Sequence, residues 1–405
     1  MRSTSWHSFP TSCASSALIR ARRSGIARPD HGDRCGSRSR SRSGPRRSHH
    51  RLGCRFRTRL RRSGRMTRLL PILLAVLLIA HPSRAAAPWP DPDSVSHVTP
   101  QEVTLDSSDP FMPSDIGRAP ARHVRAMLYL PPGVPPRHPV PAVVLLHGSV
   151  GNYEERGFRY GLPLAARGVA VLVVETYASR TNLATSFIGR ALHITETMFD
   201  ADAYAGLRFL SRRPDIDASH VALMGFSYGG MATTYALYDT IADRLVPHGP
   251  HFAAHIAYYT PCIARFDDSR TTGAPLLMLY GGRDQLIHPD RCGEIANDLR
   301  QGGSVVTIID YPRAVHQWDG EMQPRLIGRH LADCRFRVDR YGIVHDAGTG
   351  VAMGGWLMRG LVLAACTGSR PWPIGRDETV VAQSDRDLLR FLAHTLDDPG
   401  LAPGG

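Results

Sequence analysis

Short apolar runs alternate with helical patterns through most of this chain. Each run is a few residues long and rich in branched side chains, which is typical of strands buried on both faces of a sheet. Amphipathic segments such as Asp200–Leu210 predict helices between them, and Asp385–Leu396 predicts a final helix. Strands that alternate with helices predict a mostly parallel sheet covered on both sides, an α/β fold. The predicted strands are Val124–Leu130, Val143–Leu146, Val169–Val174, Val221–Met224, Ile256–Tyr259, Leu276–Tyr280 and Val305–Ile309.

Two segments depart from this alternation. Residues 88–120 are rich in Pro, Asp and Ser, and predict a surface lead-in to a domain that spans residues 121–400. Residues 334–366 are Gly-rich and predict a small hairpin, within an insertion at about 330–370 that precedes the final helix. This insertion could cover the mouth of a site or brace the edge of the sheet, and the sequence favours neither.

The formal charge of +13 lies almost wholly in the first part of the chain. Residues 1–65 hold 18 arginines against two aspartates, a charge of +16, so the remaining residues sum to −3. No lysine occurs anywhere, which indicates a biased genome composition and not selected phosphate contacts. This Arg/Ser-rich leader has few aliphatic residues and is expected to be disordered. An RNA-binding tail is its alternative interpretation, but we expect no nucleic-acid partner.

Residues 66–87 have the pattern of a secretory signal peptide. Arg68 precedes an apolar run of 12 residues, Leu69–Ala80, and small residues follow at 85–87. The run is too short to span a bilayer. We therefore predict that translation begins at Met66 and that residues 1–65 reflect a mis-called start. Cleavage after Ala85 or Ala87 would leave an exported protein, periplasmic or secreted, with no stable membrane insertion.

Four of the seven cysteines lie beyond the signal segment. An even number in an exported protein predicts disulfides. We expect the pairs Cys262–Cys292 and Cys334–Cys366, because each pair flanks one local unit; buried free thiols are the alternative. No Cys-x-x-Cys or His-Glu-x-x-His spacing occurs, so no metal site is expected.

The strongest chemical signal is the pentapeptide Gly225-Phe226-Ser227-Tyr228-Gly229, directly after the predicted strand Val221–Met224. A helical pattern follows it. Strand, sharp turn and helix are the context in which Gly-x-Ser-x-Gly forms a nucleophile elbow, a strained turn that exposes the serine hydroxyl. Gly225 and Gly229 are needed because a Cβ there would collide with the neighbouring strand or helix. The alternative is an ordinary glycine turn.

An acid and a histidine follow in the order that such an elbow requires. Asp284 lies on the turn after the strand that ends at Tyr280, and His316 lies after the next strand. A serine hydroxyl becomes nucleophilic when an imidazole removes its proton, and a carboxylate fixes the imidazole tautomer. We therefore predict Ser227, Asp284 and His316 as a catalytic triad, which needs no cofactor.

The oxyanion of the tetrahedral intermediate needs preorganised donors. We predict that the backbone N–H of Tyr228 is one donor of this oxyanion hole. The second donor is expected from the stretch His147-Gly148-Ser149, and we choose the N–H of Ser149.

These residues resemble the dienelactone hydrolase family of α/β-hydrolases over about 126–312 and the final helix. Four stretches carry the resemblance. They are the tripeptide Leu146-His147-Gly148 with Gly151 after it, the segment 165–175 that leads to Arg180, the segment 202–227, and the turn at residues 281–284. The best-known members use a cysteine nucleophile where Ser227 stands, so this chain resembles a serine-type relative. The resemblance implies a hydrolase of small esters or lactones. It also implies a substrate contact for Arg180, with an ion pair as the alternative. We expect a substrate contact for His147 as well.

Two other functions compete with an ester hydrolase. The elbow Gly-x-Ser-Tyr-Gly-Gly also resembles that of prolyl oligopeptidase-like peptidases, but about 50 residues between the signal and the core are too few for their propeller. A non-catalytic binding protein on a hydrolase scaffold is the second alternative, because fold does not determine function.

Overall fold

The apolar runs form one eight-stranded sheet in the computed structural model, which describes residues 89, 92–133, 138–328 and 330–403. The order across the sheet is β1-β2-β4-β3-β5-β6-β8-β9. The pairs β1–β2 and β2–β4 are antiparallel, and the other neighbours are parallel. The strands are β1 Gln101–Ser108, β2 Ala121–Tyr129, β3 Val140–Leu146, β4 Ala170–Val174, β5 Ile216–Phe226, β6 Ala254–Tyr258, β7 Ala264–Phe266 (outside this sheet), β8 Leu276–Gly281 and β9 Val306–Tyr311.

Helices cover both faces of the sheet. A π-helical turn, Gly157–Gly161, joins the second helix to the third, and short 3₁₀ turns lie at Pro113–Asp115, Ala178–Arg180 and Pro399–Leu401. The α-helices of the described residues are α1 Pro92–Val95, α2 Tyr153–Arg156, α3 Leu162–Ala166, α4 Phe187–His193, α5 Glu196–Ser211, α6 Tyr228–Tyr235, α7 Asp239–Leu245, α8 Pro289–Gln301, α9 Gly355–Cys366 and α10 Glu378–Thr395.

Each central strand buries both of its faces. In β3, Val144 and Leu146 lie in one core cluster with residues of α5 and α6, whereas Val143 and Leu145 lie in a second cluster with residues of α3 and α10. Successive side chains of a strand point to opposite faces, so an unbroken apolar run supplies both clusters. The predicted α/β-hydrolase fold, a mostly parallel sheet with helices on both faces, is confirmed.

Strand β1 lies within residues 88–120, where the sequence predicts only a lead-in. It pairs with β2 over eight residues at the edge of the sheet. Leu105 is the single fully buried residue of the strand, and most of the others are polar. An edge strand of this kind carries too little apolar alternation to be recognised, because it meets the core through few side chains.

The insertion contains the predicted hairpin and a helix that was not predicted. β11 Phe336–Val338 and β12 Val344–Asp346 pair antiparallel, and β11 also pairs with β7. Helix α9 follows, and β13 Trp372–Ile374 then pairs with β10 Arg325–Ile327. The insertion therefore joins the main domain through two small sheets.

Both expected disulfides are present. Cys262 is bonded to Cys292 and Cys334 to Cys366, with Cα atoms 5.2 and 4.9 Å apart. The first links the segment after β6 to helix α8, and the second links the insertion's hairpin to the end of α9. The alternative of four free thiols is wrong.

The leader and the signal segment, residues 1–87, lie outside the described residues, so both assignments stay predictions. Within the described ranges, no helix is both long enough and apolar enough to cross a membrane.

Candidate active site

Ser227 occupies a sharp turn between β5 and α6. Its backbone angles are φ 51° and ψ −109°, which a non-glycine residue adopts only under strain. A Cβ added at Gly225 would overlap the Gly229 carbonyl and the Thr233 hydroxyl. One added at Gly229 would lie 2.6 Å from the carbonyl oxygens of Leu146 and His147. The strain is therefore maintained by close packing on both sides of the serine, as the sequence predicts.

Three side chains meet at this turn in a hydrogen-bonded series. His316 Nε2 lies 2.9 Å from Ser227 Oγ, and His316 Nδ1 lies 2.7 Å from Asp284 Oδ2. The second carboxylate oxygen of Asp284 accepts the N–H of Leu286 at 2.9 Å, which fixes the carboxylate plane. All three side chains are nearly buried, with Ser227 only 5% exposed. The structure thus brings together the three residues that the sequence singled out.

Aromatic residues hold the His316 ring from two sides. The ring centroid of Tyr259 lies 4.7 Å away and that of Trp372 lies 5.4 Å away, both edge-on. The backbone carbonyl of His316 also accepts the N–H of Gly375, directly after β13. The sequence analysis missed both aromatic residues. The position of Tyr259 just after β6 was a usable signal, whereas nothing local indicates Trp372.

A buried polar network lies behind Tyr259. Asp319 accepts hydrogen bonds from Arg156 (2.5 Å), from the Tyr160 hydroxyl (2.5 Å) and from the Tyr259 hydroxyl (2.6 Å). The Arg156 guanidinium also packs 3.9 Å from the centroid of the Phe226 ring, directly before Ser227. Burial by itself would raise the pKa of Asp319, but Arg156 and the two hydroxyls hold it below its usual value. The network connects Tyr259, which packs against His316, to Phe226 at the end of β5.

The segments of both predicted oxyanion donors adjoin Ser227. The first hydrogen bond within α6 joins Met231 N–H to the Ser227 carbonyl, so the N–H of Tyr228 is not used by the helix. An ideal Cβ on Gly148 would lie 3.5 Å from the Ser227 Cβ, which places the 147–149 loop against the elbow. This arrangement is consistent with donors at Tyr228 and Ser149.

His147 lies in the interior of the protein. Its ring is fully buried among aromatic side chains, with the centroid of Tyr177 4.9 Å away and that of Phe199 5.2 Å away. Nδ1 lies 2.8 Å from the Gly148 carbonyl and Nε2 lies 3.5 Å from the Tyr177 N–H, so the neutral tautomer protonated at Nδ1 satisfies both. The substrate contact expected for His147 is therefore wrong, and the residue instead supports the 147–149 loop.

Two buried histidines predict loss of stability in acid. Burial lowers the pKa of His147 and of His255 to about 4, whereas an unfolded histidine titrates near about 6.5. Between these values the unfolded chain binds more protons than the folded one, so stability falls as the pH drops from about 6.5 to about 4. We expect each histidine to cost about 2 kcal/mol at pH 5 relative to pH 8. Urea unfolding of wild type and His255→Asn at both pH values should show a smaller pH effect in the variant, and equal pH effects would contradict this assignment.

Arg180 is not available to a substrate either. Its side chain is fully buried and all of its N–H groups are occupied, by Asp202, Asp109 and two backbone carbonyls. The ion-pair alternative for Arg180 is therefore correct, and the substrate contact that the resemblance implied is wrong. Its acidic partners lie 71 and 22 residues away in sequence, so no local pattern reveals them.

Arg359 of helix α9 reaches the elbow from the insertion. Its Nη2 donates to Glu196 Oε1 at 3.0 Å and to the Tyr228 hydroxyl at 3.1 Å, and its Nε donates to the Ala191 carbonyl at 2.8 Å. The Tyr228 hydroxyl in turn donates to the Ile194 carbonyl. The insertion thus contacts the site at Tyr228, and the strand that follows it contacts the site at His316. The sequence analysis missed Arg359, although a lone charge in the apolar run 355–366 was a usable signal.

Within the described residues, no three His, Cys, Asp or Glu side chains are grouped as metal ligands would be. The chemistry that the arrangement can perform is proton transfer from Ser227 to His316, with Asp284 stabilising the imidazolium.

Comparison with known proteins supports one family. A protein from Yersinia pestis described as carboxymethylenebutenolidase-like is 27% identical over 117 residues, 27% of this chain and 40% of its own. A protein of the same description from Methylorubrum extorquens is 25% identical over 178 residues, 40% of this chain and 57% of its own. The chain thus spans about half the length of these relatives.

Two solved structures are also similar. A dienelactone hydrolase-like structure from Klebsiella pneumoniae has a TM-score of 0.40 and 20% identity, covering 54% of this chain and 89% of that one. Esterase 2 of Thermogutta terrifontis has a TM-score of 0.40 and 14% identity, covering 53% and 87%. The model of the dienelactone hydrolase family matches residues 124–328, half of the sequence and all of the strands that carry Ser227, Asp284 and His316. The chain belongs to the dienelactone hydrolase family.

Proposed function

We propose that this protein is an exported serine hydrolase that cleaves small to medium carboxylic esters or lactones through an acyl-enzyme. The observation that carries the proposal is the continuous series Ser227–His316–Asp284 at a strained turn. The names of the relatives point to the same bond type, because a butenolide is a lactone.

In the first half of the reaction, Ser227 Oγ attacks the ester carbonyl carbon while His316 Nε2 takes the hydroxyl proton. Asp284 stabilises the imidazolium through the hydrogen bond to Nδ1. The carbonyl oxygen becomes an oxyanion, which the N–H groups of Tyr228 and Ser149 would stabilise. The intermediate then collapses, the bond to the alcohol oxygen breaks, and the departing alcohol takes the proton from His316.

In the second half, water replaces the alcohol. His316 removes a proton from water, the resulting hydroxide attacks the acyl carbon, and the same donors stabilise the second oxyanion. Collapse of this intermediate returns the proton from His316 to Ser227 Oγ and releases the carboxylic acid. A lactone follows the same steps, except that its alcohol stays attached to the acyl group.

The surroundings of Ser227 shield it from solvent. Ser227, Asp284 and His316 are almost completely buried, and Tyr259 and Trp372 form an aromatic wall beside the histidine. Low exposure excludes bulk water from the developing charges, which strengthens the electrostatic stabilisation.

Two disulfides support export. Cys262–Cys292 and Cys334–Cys366 would form and persist in the periplasm or outside the cell, where the environment is oxidising. The signal segment at residues 66–87 is consistent with this location.

Covalent labelling tests the proposal without knowledge of the natural substrate. The purified full chain would be incubated with a fluorophosphonate, and the modified peptide would be identified by mass spectrometry. We expect a single adduct on Ser227, and none in Ser227→Ala or His316→Ala. A folded wild-type protein that neither labels nor hydrolyses p-nitrophenyl acetate would contradict the proposal and favour a binding role. Cleavage of peptide p-nitroanilides but not of esters would favour the peptidase alternative.

A further inference from the structure

Helices α4 and α9 expose an unusual amount of apolar surface. Five large apolar side chains on these two helices are each between 53% and 59% exposed: Phe187, Ile188, Trp356, Leu357 and Leu361. We call them the α4–α9 surface. Scattered exposed apolar residues are ordinary, but a contiguous group of this size marks an interaction site in most proteins.

The two helices pack against each other, so their exposed residues belong to one surface. The His193 ring stacks on Trp356 with centroids 5.5 Å apart, and the Leu192 side chain lies beside Gly360. Arg359 donates to the Ala191 carbonyl. His193, at the end of α4, contacts Trp356 near the start of α9, and the earlier residue Ala191 contacts the later residue Arg359. The two helices therefore run antiparallel. The Cys334–Cys366 disulfide anchors the end of α9.

The segments that carry this surface contain no carboxylate. Residues 176–195 and 347–376 include no Asp or Glu but five arginines. Three of these, Arg180, Arg359 and Arg376, form ion pairs with carboxylates elsewhere in the chain. Arg190 and Arg370 form no ion pair with any described residue. The surface is therefore apolar, and the segments that carry it hold positive charge without ion-pair partners.

The same helices border the candidate active site. Arg359 contacts the Tyr228 hydroxyl, and the Arg190 guanidinium lies 4.8 Å from the centroid of the Tyr177 ring, close to Gly151 of the loop after β3. A partner that covers the α4–α9 surface would thus lie against helices that contact Tyr228 and the loop after β3.

We propose that the α4–α9 surface docks the protein onto an anionic lipid–water interface. Trp, Phe and Leu side chains enter the boundary between headgroups and acyl chains, while arginines attract anionic headgroups. A second copy of this chain would fit less well, because a two-fold contact would place carboxylate-free, arginine-bearing segments against each other. The docking is independent of the proposed hydrolase function, although it would bring Ser227 close to esters dispersed in such an interface.

Vesicle sedimentation of the full chain tests this proposal. Vesicles of phosphatidylcholine alone and of phosphatidylcholine with phosphatidylglycerol would be compared. We expect binding to the anionic vesicles, weakened about tenfold or more in the triple variant Trp356→Ser, Leu357→Ser, Leu361→Ser. Arg370→Ala should weaken it about fivefold, and high salt should weaken it in wild type.

The matched control replaces apolar residues elsewhere that are even more exposed. Phe158→Ser with Val305→Ser, 70% and 69% exposed in the wild type, should leave vesicle binding unchanged. Any contribution of the arginine-rich residues 1–65 or of the apolar residues 69–80 to binding is the same in every variant, so only the difference between variants is interpreted. In the bound state, the emission of Trp356 should shift to the blue.

Two outcomes would overturn the proposal. Equal vesicle binding by wild type and the triple variant would show that another part of the chain is responsible. A dimer in light scattering that the triple variant converts to a monomer, without vesicle binding by either, would assign the surface to a second copy. Turnover of soluble p-nitrophenyl acetate, which we expect to be the same in wild type and triple variant, tests the proposed function separately.

Discussion

Replacing Ser227 with alanine should lower kcat for p-nitrophenyl butyrate by about 10⁶, with little change in stability. His316→Ala should cost about as much, and the double variant should cost no more than either single one. We expect this because groups that act as a unit in one proton transfer leave the others nothing to assist once one is lost. Asp284→Asn should cost about 10⁴, because the imidazole would then be held in the wrong tautomer. Steady-state kinetics of the four variants measure these effects.

A matched control is available on the same strand. Ser219 is exposed and its hydroxyl bonds only to neighbouring side chains, so Ser219→Ala should leave kcat unchanged. If the losses in Ser227→Ala and His316→Ala were instead to multiply in the double variant, the two residues would not act in one proton transfer.

The second large effect concerns the buried network behind Tyr259. Asp319→Ala should lower the free energy of unfolding by about 4 kcal/mol, because it leaves the Arg156 charge buried without its partner. Both side chains of this ion pair are almost fully buried. Two tyrosine hydroxyls, those of Tyr160 and Tyr259, would also lose their acceptor. Urea unfolding of the wild type and the variant measures this loss.

The origin of this loss can be tested by removing the charge as well. The double variant Arg156→Met, Asp319→Leu should recover most of the lost stability, since an apolar pair of similar volume replaces a buried ion pair at little cost. An exposed pair such as Arg337–Asp267 provides the contrast, because Asp267→Ala should change stability little. A double variant as unstable as Asp319→Ala alone would indicate lost packing and not an unpaired charge.

Local sequence pattern was sufficient for seven of the eight strands of the sheet and for the three residues at its edge. Strands such as β3 are buried on both faces, so they appear as unbroken apolar runs. Ser227, Asp284 and His316 each follow such a run, and parallel strands bring their carboxyl ends to one edge. The glycines at 225 and 229 were identifiable because the close packing at the elbow leaves no space for a side chain.

Residues that depend on distant partners could not be predicted in this way. Arg180 was assigned to a substrate because its partners, Asp109 and Asp202, are invisible to a local pattern. His147 lies in the expected loop, but its burial depends on aromatic residues of other segments. Trp372 reaches His316 only after the chain has passed through the whole insertion. Each error therefore concerns a contact between segments far apart in sequence.

The contacts made by the segments after residue 328 also determine which truncated fragments of this protein can be expected to fold. The family match ends at residue 328, before Arg359, Trp372 and helix α10. Yet Arg359 and Trp372 hold Tyr228 and His316, and Leu388 and Leu389 of α10 are fully buried. Asp385 of α10 accepts hydrogen bonds from Trp89 and Arg159, near the other end of the described chain. We therefore expect that the matched segment 124–328 does not fold alone, and that fragments for expression or fusion should keep the residues from Trp89 to at least Thr395 together.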